Sequence, residues 1–375
     1  MAGIYIHIPY CKSICHYCDF YKVSDEGNHE RFIRAVIQEA KLRKDYLSGE
    51  SIATIYFGGG TPSVLSVKEL SELINGIYDI FLVEKECEIT IEVNPDDVSL
   101  DWLRDIRKTG FNRLSLGIQS WNDEVLRILN RRHTSKKSSE ALILSEKAGF
   151  ENISVDLIYG IPGYDSVKWG NDLDQTFRYN IKHLSAYHLT IKPGTFLDKL
   201  KKAGEVEEQD EEESNTQFNL LIEKADKAGF IQYEISNFAK DGWFSVHNSN
   251  YWRQVMYIGL GPSAHSFNKI SRQWNISNLE KYIIAVESDK KFYTREELDM
   301  KKMFNEYILT SLRTMWGADL DYIERNFSKE GYDYVMNLSK KFIDYGLMKM
   351  ESNHLILTNT GKMISDNIIS EFMMV

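Results

Sequence analysis

The sequence predicts an α/β protein with a parallel sheet covered by helices, followed by a smaller helical unit. Short apolar runs that end in turn residues alternate with amphipathic helical patterns, and this alternation is typical of β/α units. A weak repeat supports the same fold, because Lys-x-Gly-Phe recurs at residues 108–111, 147–150 and 227–230. Each copy places a cation in a helix's last turn and a glycine at its left-handed end. The spacing of about 40 residues, or twice that, suits a β/α module.

The first β/α units begin at the N-terminus. Residues 3–8 form an apolar run that predicts a buried strand, and residues 30–47 carry apolar side chains on one helical face. Residues 51–57 predict a second strand, which ends in the Gly-Gly-Gly-Thr-Pro turn of residues 58–62. Ser66 and Glu69 then predict a capping box for the next helix.

Further units follow in the same order. Residues 88–93 predict a third strand, and Ser99 is expected to cap the helix after it. The remaining strands are predicted at residues 113–118, 153–159, 184–191 and 231–235. About six or seven parallel strands are therefore expected, with a ligand at their carboxyl ends.

Past residue 279 the β/α pattern gives way to helices and a short hairpin. The hairpin is predicted at residues 347–350 and 355–358, and a final helix follows it. Two helices and a wing-like hairpin resemble a winged-helix module. We therefore predict a barrel domain over residues 1–280, with an extension at about 240–280, and a C-terminal domain over residues 281–375.

Composition limits the functional class. The 375 residues are 43% apolar and 27% charged, which predicts a soluble globular protein, and the net charge of −10 argues against a broad nucleic-acid surface. The sequence has no apolar run long enough to span a membrane and no signal-peptide pattern. We expect a cytoplasmic protein. The acidic run at residues 205–213 is interpreted as a solvated segment.

Three cysteines follow the first predicted strand, at Cys11, Cys15 and Cys18. In a reducing compartment such a group more often binds metal than forms disulfides. A structural zinc site takes four protein ligands, and iron-sulfur clusters are normally held by four cysteines. A trio without a nearby fourth predicts a cubane cluster with one iron open to a ligand that is not protein. Cys87 stands alone and is expected to be an ordinary buried thiol.

Polar side chains stand at the ends of several predicted strands. Glu92, Gln119 and Asp156 fall late in strands that are otherwise apolar, and Arg131 follows in a loop. Each of them, and the glycine turn at residues 58–62, could serve only local structure. Together they suit a ligand that carries an amine, a ribose diol and a carboxylate, because such side chains either face the barrel mouth or must be hydrogen-bonded in the core.

The cysteine spacing, followed by Gly-Gly-Gly-Thr-Pro, resembles the radical S-adenosylmethionine (SAM) superfamily. Four further motifs resemble the anaerobic coproporphyrinogen oxidase group and its heme-chaperone relatives, the HemW branch: Tyr5-x-His-Ile-Pro-x-Cys11, Gly-Ile-Gln119-Ser, Asn-Arg131-Arg-His and Asp156-Leu-Ile-Tyr-Gly-Ile-Pro. This resemblance runs from residue 5 to about 270, and the C-terminal module fits the same group. It implies a partial, six-stranded TIM-like barrel with a 4Fe-4S cluster. It also implies that SAM, whose methionyl amine and carboxylate bind the open iron, is contacted by Tyr5, Gly59, Gly60, Thr61, Glu92, Gln119, Arg131 and Asp156.

Two features resemble the chaperone branch more than the oxidase branch. The oxidases carry a fourth cysteine two positions after the third and a sizeable extension before the cluster, whereas this sequence has Phe20 there and ten residues before Cys11. The sequence also has a motif similar to the His-Asn-x-x-Tyr-Trp signature of heme-binding HemW proteins. It consists of His247, Asn248, Tyr251 and Trp252, with His247 as the candidate heme ligand. The alternative is that these side chains pack the open edge of the barrel, with His247 hydrogen-bonded in a loop.

The resemblance therefore implies a protein that binds heme and transfers it to acceptor hemoproteins, such as membrane-associated respiratory proteins. The competing hypothesis is an enzyme, an oxygen-independent coproporphyrinogen III dehydrogenase that decarboxylates propionates to give protoporphyrinogen IX. A third is a winged-helix regulator that senses iron. No nucleic-acid partner is expected. Several points stay open at this stage: the acceptor, SAM cleavage, covalent attachment of heme and a homodimer.

Overall fold

The computed structural model describes residues 1–25 and 27–374. Its strands, in chain order, are β1 (Ala2–Ile8), β2 (Tyr10–Cys11), β3 (Val23–Ser24), β4 (Ile52–Gly59), β5 (Val83–Val93), β6 (Arg113–Gln119), β7 (Asn152–Tyr159), β8 (His183–His188), β9 (Ile231–Gln232), β10 (Asn237–Ala239), β11 (Tyr257–Leu260), β12 (His265–Phe267), β13 (Ser271–Asn275), β14 (Tyr293–Glu297), β15 (Ala318–Asp319), β16 (Met348–Glu351) and β17 (His354–Leu357).

The helices lie between these strands. They are α1 (Glu30–Leu42), α2 (Val67–Ile80), α3 (Leu100–Lys108), α4 (Asp123–Ile128), α5 (Ser135–Lys147), α6 (Ser166–Thr176), α7 (Phe196–Lys202), α8 (Glu211–Lys227), α9 (Val246–Trp252), α10 (Leu279–Glu287), α11 (Met300–Ser311), α12 (Leu320–Asp344), α13 (Asn359–Met363) and α14 (Ser365–Phe372). Short 3-10 helices occupy Lys44–Leu47, Pro62–Val64 and Pro95–Asp97.

The main sheet is an open, mostly parallel sheet. Its central strands run in the order β11-β1-β4-β5-β6-β7-β8, and each neighbouring pair is parallel. The strands β12, β13 and β14 extend one edge, and β10 and β9 extend the other, all by antiparallel pairing. The α/β fold class and the partial barrel predicted from sequence are confirmed.

Local signals account for the ends of several helices. Ser66 and Glu69 form the predicted capping box at the start of α2, and Ser99 Oγ accepts a hydrogen bond from the backbone of Trp102 in α3. The glycines after three helices, Gly110, Gly149 and Gly229, all have positive φ, as the repeat predicts. These particular helix ends therefore lie at the residues identified from sequence.

One predicted strand is wrong. Residues 231–235 were expected to join the parallel sheet, but only Ile231–Gln232 is extended, and it pairs antiparallel with β10. The chain turns back because the backbone amide of Tyr233 donates to the carbonyl of Asn237, and the Glu234 carboxylate accepts from the amide of Ser236 at 3.0 Å. This local hydrogen bonding makes a tight edge hairpin.

Two hydrophobic cores hold the chain. The first fills the space between the main sheet and its helices and extends to Phe292. The second begins at Phe304 and is built from α11, α12, α14 and the sheet β15-β17-β16. The predicted terminal hairpin is present as β16 and β17. Within the described ranges, no helix combines the length and apolarity needed to cross a bilayer.

Candidate functional site

The cysteine loop is fixed at the carboxyl end of β1. Strands β2 and β3 pair across its two ends, and the backbone amide of Asp25 donates to the carbonyl of Cys11 at 3.0 Å. The middle of the loop is held by His16, whose amide donates to the carbonyl of Leu129 at 3.2 Å. The loop therefore presents its cysteines on a fixed backbone.

All three cysteines line one cavity of about 420 Å³, which we call the cluster cavity. All three are free thiols; Thr61 Oγ1 donates to Cys11 Sγ at 3.4 Å, and Arg131 Nη1 donates to Cys15 Sγ at 3.3 Å. Donors of this kind stabilise thiolate sulfur. Burial raises the pKa of Cys11 to about 11, so iron binding would have to drive the release of its proton.

The thiols fit a cluster better than a single ion. In residues 1–25 and 27–374, no three His, Cys, Asp or Glu side chains converge closely enough to hold one metal ion. A cubane does not require this convergence, because each thiolate binds a different iron. Cys87 is buried at 3% exposure on β5 and does not line the cavity, which confirms the expected buried thiol. The fourth iron would thus have no cysteine ligand from the described chain.

The glycine turn after β4 lies against the cysteine loop. A Cβ at Gly60 would lie 2.8 Å from the Tyr10 carbonyl oxygen and 2.9 Å from that of Ile8, and a Cβ at Gly58 would lie 2.9 Å from a Glu92 carboxylate oxygen. Gly59 has φ +110°, a conformation that disfavours other residues. Glycine is required here because a side chain would collide with the backbone before the cysteine loop or with the Glu92 carboxylate.

Glu92 and Asp156 place two carboxylates inside the cavity. Glu92 accepts hydrogen bonds from Tyr56 Oη at 2.9 Å and from the amide of Gly59 at 3.2 Å, and Asp156 accepts from Ser115 Oγ at 3.0 Å. Burial, followed by the Asp156 charge, raises the pKa of Glu92 to about 7, and burial also raises the pKa of Asp156. A cationic ligand would favour the charged form of both carboxylates.

Gln119 and Arg131 complete the polar wall. Gln119 ends β6 with φ +67°, beside a shift in the β6–β7 register, so its backbone adopts a strained conformation at the cavity wall. Arg131 Nη2 donates to the Gly117 carbonyl at 2.8 Å and to Asn94 Oδ1, while its buried Nε has no partner. The cavity therefore holds a buried, unpaired donor next to the cysteines, which fits a site for an anionic or ether oxygen of a ligand.

The sequence reasoning missed other residues that line this cavity. They are Tyr17, Tyr56, Asn94, Arg113, Ser115, Ser185 and Tyr187. A signal was present in β6, where Arg113, Ser115 and Gln119 alternate with leucine and isoleucine. A period of two places alternate side chains on the inner face of a barrel, so this polar alternation predicts a polar lumen.

The structure separates several residues that the sequence grouped. Asn248 lines the cluster cavity, Tyr251 lines a pocket at the β11 edge of the sheet, and Trp252 lines a groove beside the C-terminal core. Tyr5, a predicted SAM contact, also lines the edge pocket and not the cluster cavity. A ligand in any one of these cavities would meet only part of the predicted set.

His247 lies in the core instead of at a surface. It is 2% exposed, with Nδ1 2.8 Å from Thr54 Oγ1 and Nε2 2.9 Å from Tyr251 Oη. The Glu88 carboxylate accepts from its backbone amide at 2.9 Å and fixes the start of α9. Burial lowers the pKa of His247 to about 3, so it remains neutral. In this conformation neither ring nitrogen is available to iron, which agrees with the alternative that His247 is structural, although on a helix.

Comparison with known proteins identifies the family. The model of the Radical SAM superfamily matches residues 5–174. The "Heme chaperone HemW" of Bacillus subtilis (strain 168) is 30% identical over 100% of this chain and 99% of its own length. The "Heme chaperone HemW" of Lactococcus lactis subsp. lactis (strain IL1403) is 29% identical, covering 99% of this chain and 97% of its own.

A solved structure shows the same fold. Coproporphyrinogen III oxidase (HemN) from Escherichia coli aligns with a TM-score of 0.86 at 24% identity, covering 99% of this chain and 90% of its own. The family match, the three cysteines in one cavity and the full-length similarity to HemW proteins agree with one another. The chain therefore belongs to the radical SAM superfamily and, within it, to the HemW family.

Proposed function

We propose that this protein is a heme chaperone, which binds heme and transfers it to acceptor hemoproteins. The observation that carries the proposal is the end-to-end similarity to proteins named as heme chaperones. Phe20 supports it: at the position where the oxidase branch is expected to have a fourth cysteine, this chain has an aromatic side chain that is 64% exposed. Such a surface suits an apolar macrocycle.

We propose that Cys11, Cys15 and Cys18 hold a 4Fe-4S cluster and that SAM binds beside it. The Glu92 carboxylate would accept hydrogen bonds from the methionyl amine, and the backbone of the turn at residues 58–62 would support the same end of the ligand. Gln119, Arg131 and Asp156 would contact the rest of the ligand from neighbouring strands. When bound, this pair of cofactors supplies one-electron chemistry at the iron that has no cysteine ligand.

The acceptors would be hemoproteins, including membrane-associated respiratory proteins, and the site of action would be the cytoplasm. Heme carries a large apolar face, so transfer requires a surface from which it can leave without crossing the core. The exposed ring of Phe20 beside the cluster cavity is a surface of that kind.

The second candidate is an oxygen-independent coproporphyrinogen III dehydrogenase. The observation that favours it is the complete polar wall of the cluster cavity, with two buried carboxylates and Arg131, because a chaperone that never uses SAM would not need it. The fold is also that of a coproporphyrinogen III oxidase, but many activities share one fold.

Anaerobic heme titration paired with an activity assay separates the two functions. After cluster reconstitution, we expect saturable growth of a heme Soret band and movement of that band when an apo-hemoprotein is added. We expect no conversion of coproporphyrinogen when SAM and a reductant are supplied. Measurable formation of protoporphyrinogen would replace the chaperone proposal with the enzyme.

Cys15→Ala is the matched control for the cluster. It should lose the cluster's visible absorption, and it lies in the loop without being part of the proposed heme surface. A chain that forms the cluster normally but shows no saturable heme binding would contradict the chaperone function.

A further inference from the structure

A second pocket lies against the outer side of the cysteine loop. This edge pocket, of about 470 Å³, is lined by Tyr5, His7, Asp19, Phe20, Tyr21, Tyr251, Tyr257, Ser263 and His265. Asp19 and Phe20 also line the cluster cavity, so this turn of the loop borders both spaces. The pocket walls are therefore mostly aromatic and adjoin the cysteines.

Most polar atoms of the edge pocket are already committed. His7 Nδ1 lies 3.1 Å from Tyr5 Oη, and its Nε2 lies 2.9 Å from the Tyr21 carbonyl oxygen. The Tyr251 hydroxyl pairs with His247, and the Tyr257 hydroxyl accepts from Arg272 at 3.3 Å. These side chains can supply ring surface to a ligand, but they have little capacity left for binding a metal.

His265 differs from the other histidines around these cavities. It is exposed, and among the described residues neither of its ring nitrogens has a hydrogen-bond partner. In contrast, His188 of the cluster cavity lies 3.1 Å from Ser214 Oγ, and His7 and His247 have both nitrogens engaged. Neutral imidazole is a common metal ligand, and this one has no partner among the described residues to give up before it could bind a metal.

The backbone fixes where His265 stands. A Cβ at Gly259 would lie 2.1 Å from the His265 carbonyl oxygen, so β11 and β12 touch through their main chains at this residue. The imidazole also lies near the indole of Trp274, with ring centroids 6.3 Å apart. The side chain is exposed but its ring is partly covered by protein; this partial burial, then the Arg272 charge, lowers the pKa of His265, which favours the neutral imidazole that can bind a metal.

We infer that heme binds in the edge pocket, with an imidazole nitrogen of His265 as an axial ligand of its iron and with Phe20, Tyr251 and Tyr257 against the macrocycle. This inference rests on the proposed heme-binding function and assigns a site to it. The bond forms by donation of the imidazole lone pair to iron and displaces at most a water. It requires no oxidant, reductant or leaving group, and it leaves the His247 network in place.

Tyr251 and Trp252 are neighbours in the motif but line different cavities, and of the two only the cavity of Tyr251 has a histidine among the described residues that line it. Trp252 lies in the groove with Met303, Tyr307 and Trp316, and no histidine lines that groove among the described residues. The groove is aromatic but lacks an imidazole for the iron. The edge pocket combines an imidazole, a motif residue and Phe20 in one place.

Titration of ferric heme into the full-length, cluster-reconstituted chain tests the assignment. For His265→Ala we expect the dissociation constant to rise at least roughly tenfold, since even loss of an outer-shell partner costs about 10- to 100-fold in metal affinity. The spectrum should change from that of an imidazole-ligated heme. His265→Gly should regain the imidazole-type spectrum when free imidazole is added, and His265→Met should give a different axial-ligand signature.

Three matched variants make the result decisive. His354→Ala removes a histidine on the distant hairpin and should leave heme binding unchanged, as should Trp316→Ala in the groove. His247→Ala should keep the imidazole-type heme spectrum even if the network around α9 is weakened. Normal cluster absorption in each variant shows that the barrel has folded.

Two outcomes overturn this inference without touching the proposed function. One is an unchanged affinity and spectrum in His265→Ala. The other is loss of the imidazole signature in His247→Ala or of binding in Trp316→Ala, which would place heme at those side chains. If the unmodified chain binds no heme, the proposed function itself fails.

Discussion

At the scale of single residues, the cluster cavity contains buried carboxylates whose charges destabilise the folded protein when no cationic ligand is bound. Glu92 is the clearest case, because its carboxylate is buried beside Asp156 and its pKa is about 7 instead of 4.5. A group that is protonated in the folded state but ionised in the unfolded state makes the free energy of unfolding depend on pH. The same carboxylate is the proposed partner of the SAM amine. Its ionised form would therefore favour SAM binding but destabilise the folded protein when no SAM is bound.

Replacing Glu92 with Gln should reveal this opposition. Between about pH 4.5 and 7, Glu92 is protonated in the folded chain and ionised in the unfolded chain. The free energy of unfolding therefore falls as the pH rises through this range. Without cofactors, Glu92→Gln should be more stable than the unmodified protein at pH 8, with the difference vanishing near pH 4.5. Denaturant unfolding at several pH values measures this, and SAM affinity should fall.

Glu86→Gln is the matched control, because Glu86 lies on the same strand and is exposed. It should change neither the pH profile nor SAM binding. A Glu92→Gln protein that shows the same stability difference at pH 5 and pH 8 would mean that Glu92 does not titrate in this range.

At the scale of elements, the site depends on the contact between the turn after β4 and the cysteine loop. Gly60 donates its amide to the Ile8 carbonyl at 2.8 Å, and Thr61 reaches Cys11 from the next position. The strand, the turn and the loop are therefore one unit, and the absence of a side chain at Gly60 sets its spacing.

Gly60→Ala should push the loop away from the turn. The added Cβ would meet backbone oxygens at 2.8 and 2.9 Å, and overpacking of this kind costs about 1–3 kcal/mol. We expect a lower free energy of unfolding and a lower iron and sulfide content after reconstitution, measured by denaturation and by iron analysis. Gly170→Ala on α6 is the control: its Cβ would meet the flexible Leu220 methyl of α8 at 3.3 Å, and alanine is favourable in a helix. Equal iron contents in the two variants would contradict the argument.

At the scale of the whole molecule, two hydrophobic cores support different parts of the structure. The first core positions the cluster cavity and the edge pocket, and the second carries the hairpin of β16 and β17. We propose that they correspond to the two predicted domains, with the change from one core to the other falling between Phe292 and Phe304. The wing-like hairpin is the feature that would otherwise suggest a nucleic-acid partner.

The net charge of −10 should prevent such binding. Protein–DNA affinity comes largely from cations that replace counterions on phosphate, and an acidic chain repels the duplex instead. In fluorescence anisotropy with labelled duplex DNA at physiological salt, we expect no saturable signal, with or without the cluster. Saturable binding whose affinity falls steeply with salt would instead support a winged-helix regulator.

The sequence by itself determined the fold class, several helix ends and the cysteine trio, because these follow from local periodicity and spacing. It also indicated Glu92, Gln119 and Asp156, since polar residues late in apolar strands share one end of a parallel sheet, and it indicated Arg131 in a neighbouring loop. It misjudged residues 231–235, where hydrogen bonds within a hairpin outweigh strand propensity.

Only the tertiary structure shows where the residues of the His-Asn-x-x-Tyr-Trp motif lie. Neighbours in sequence point in different directions from a helix, so the residues of α9 reach the core, the cluster cavity, the edge pocket and the groove. Whether a histidine is free or bonded depends on partners far along the chain, such as Thr54 for His247. For that reason His265, which no motif singled out, could be proposed as a heme ligand only from the folded molecule.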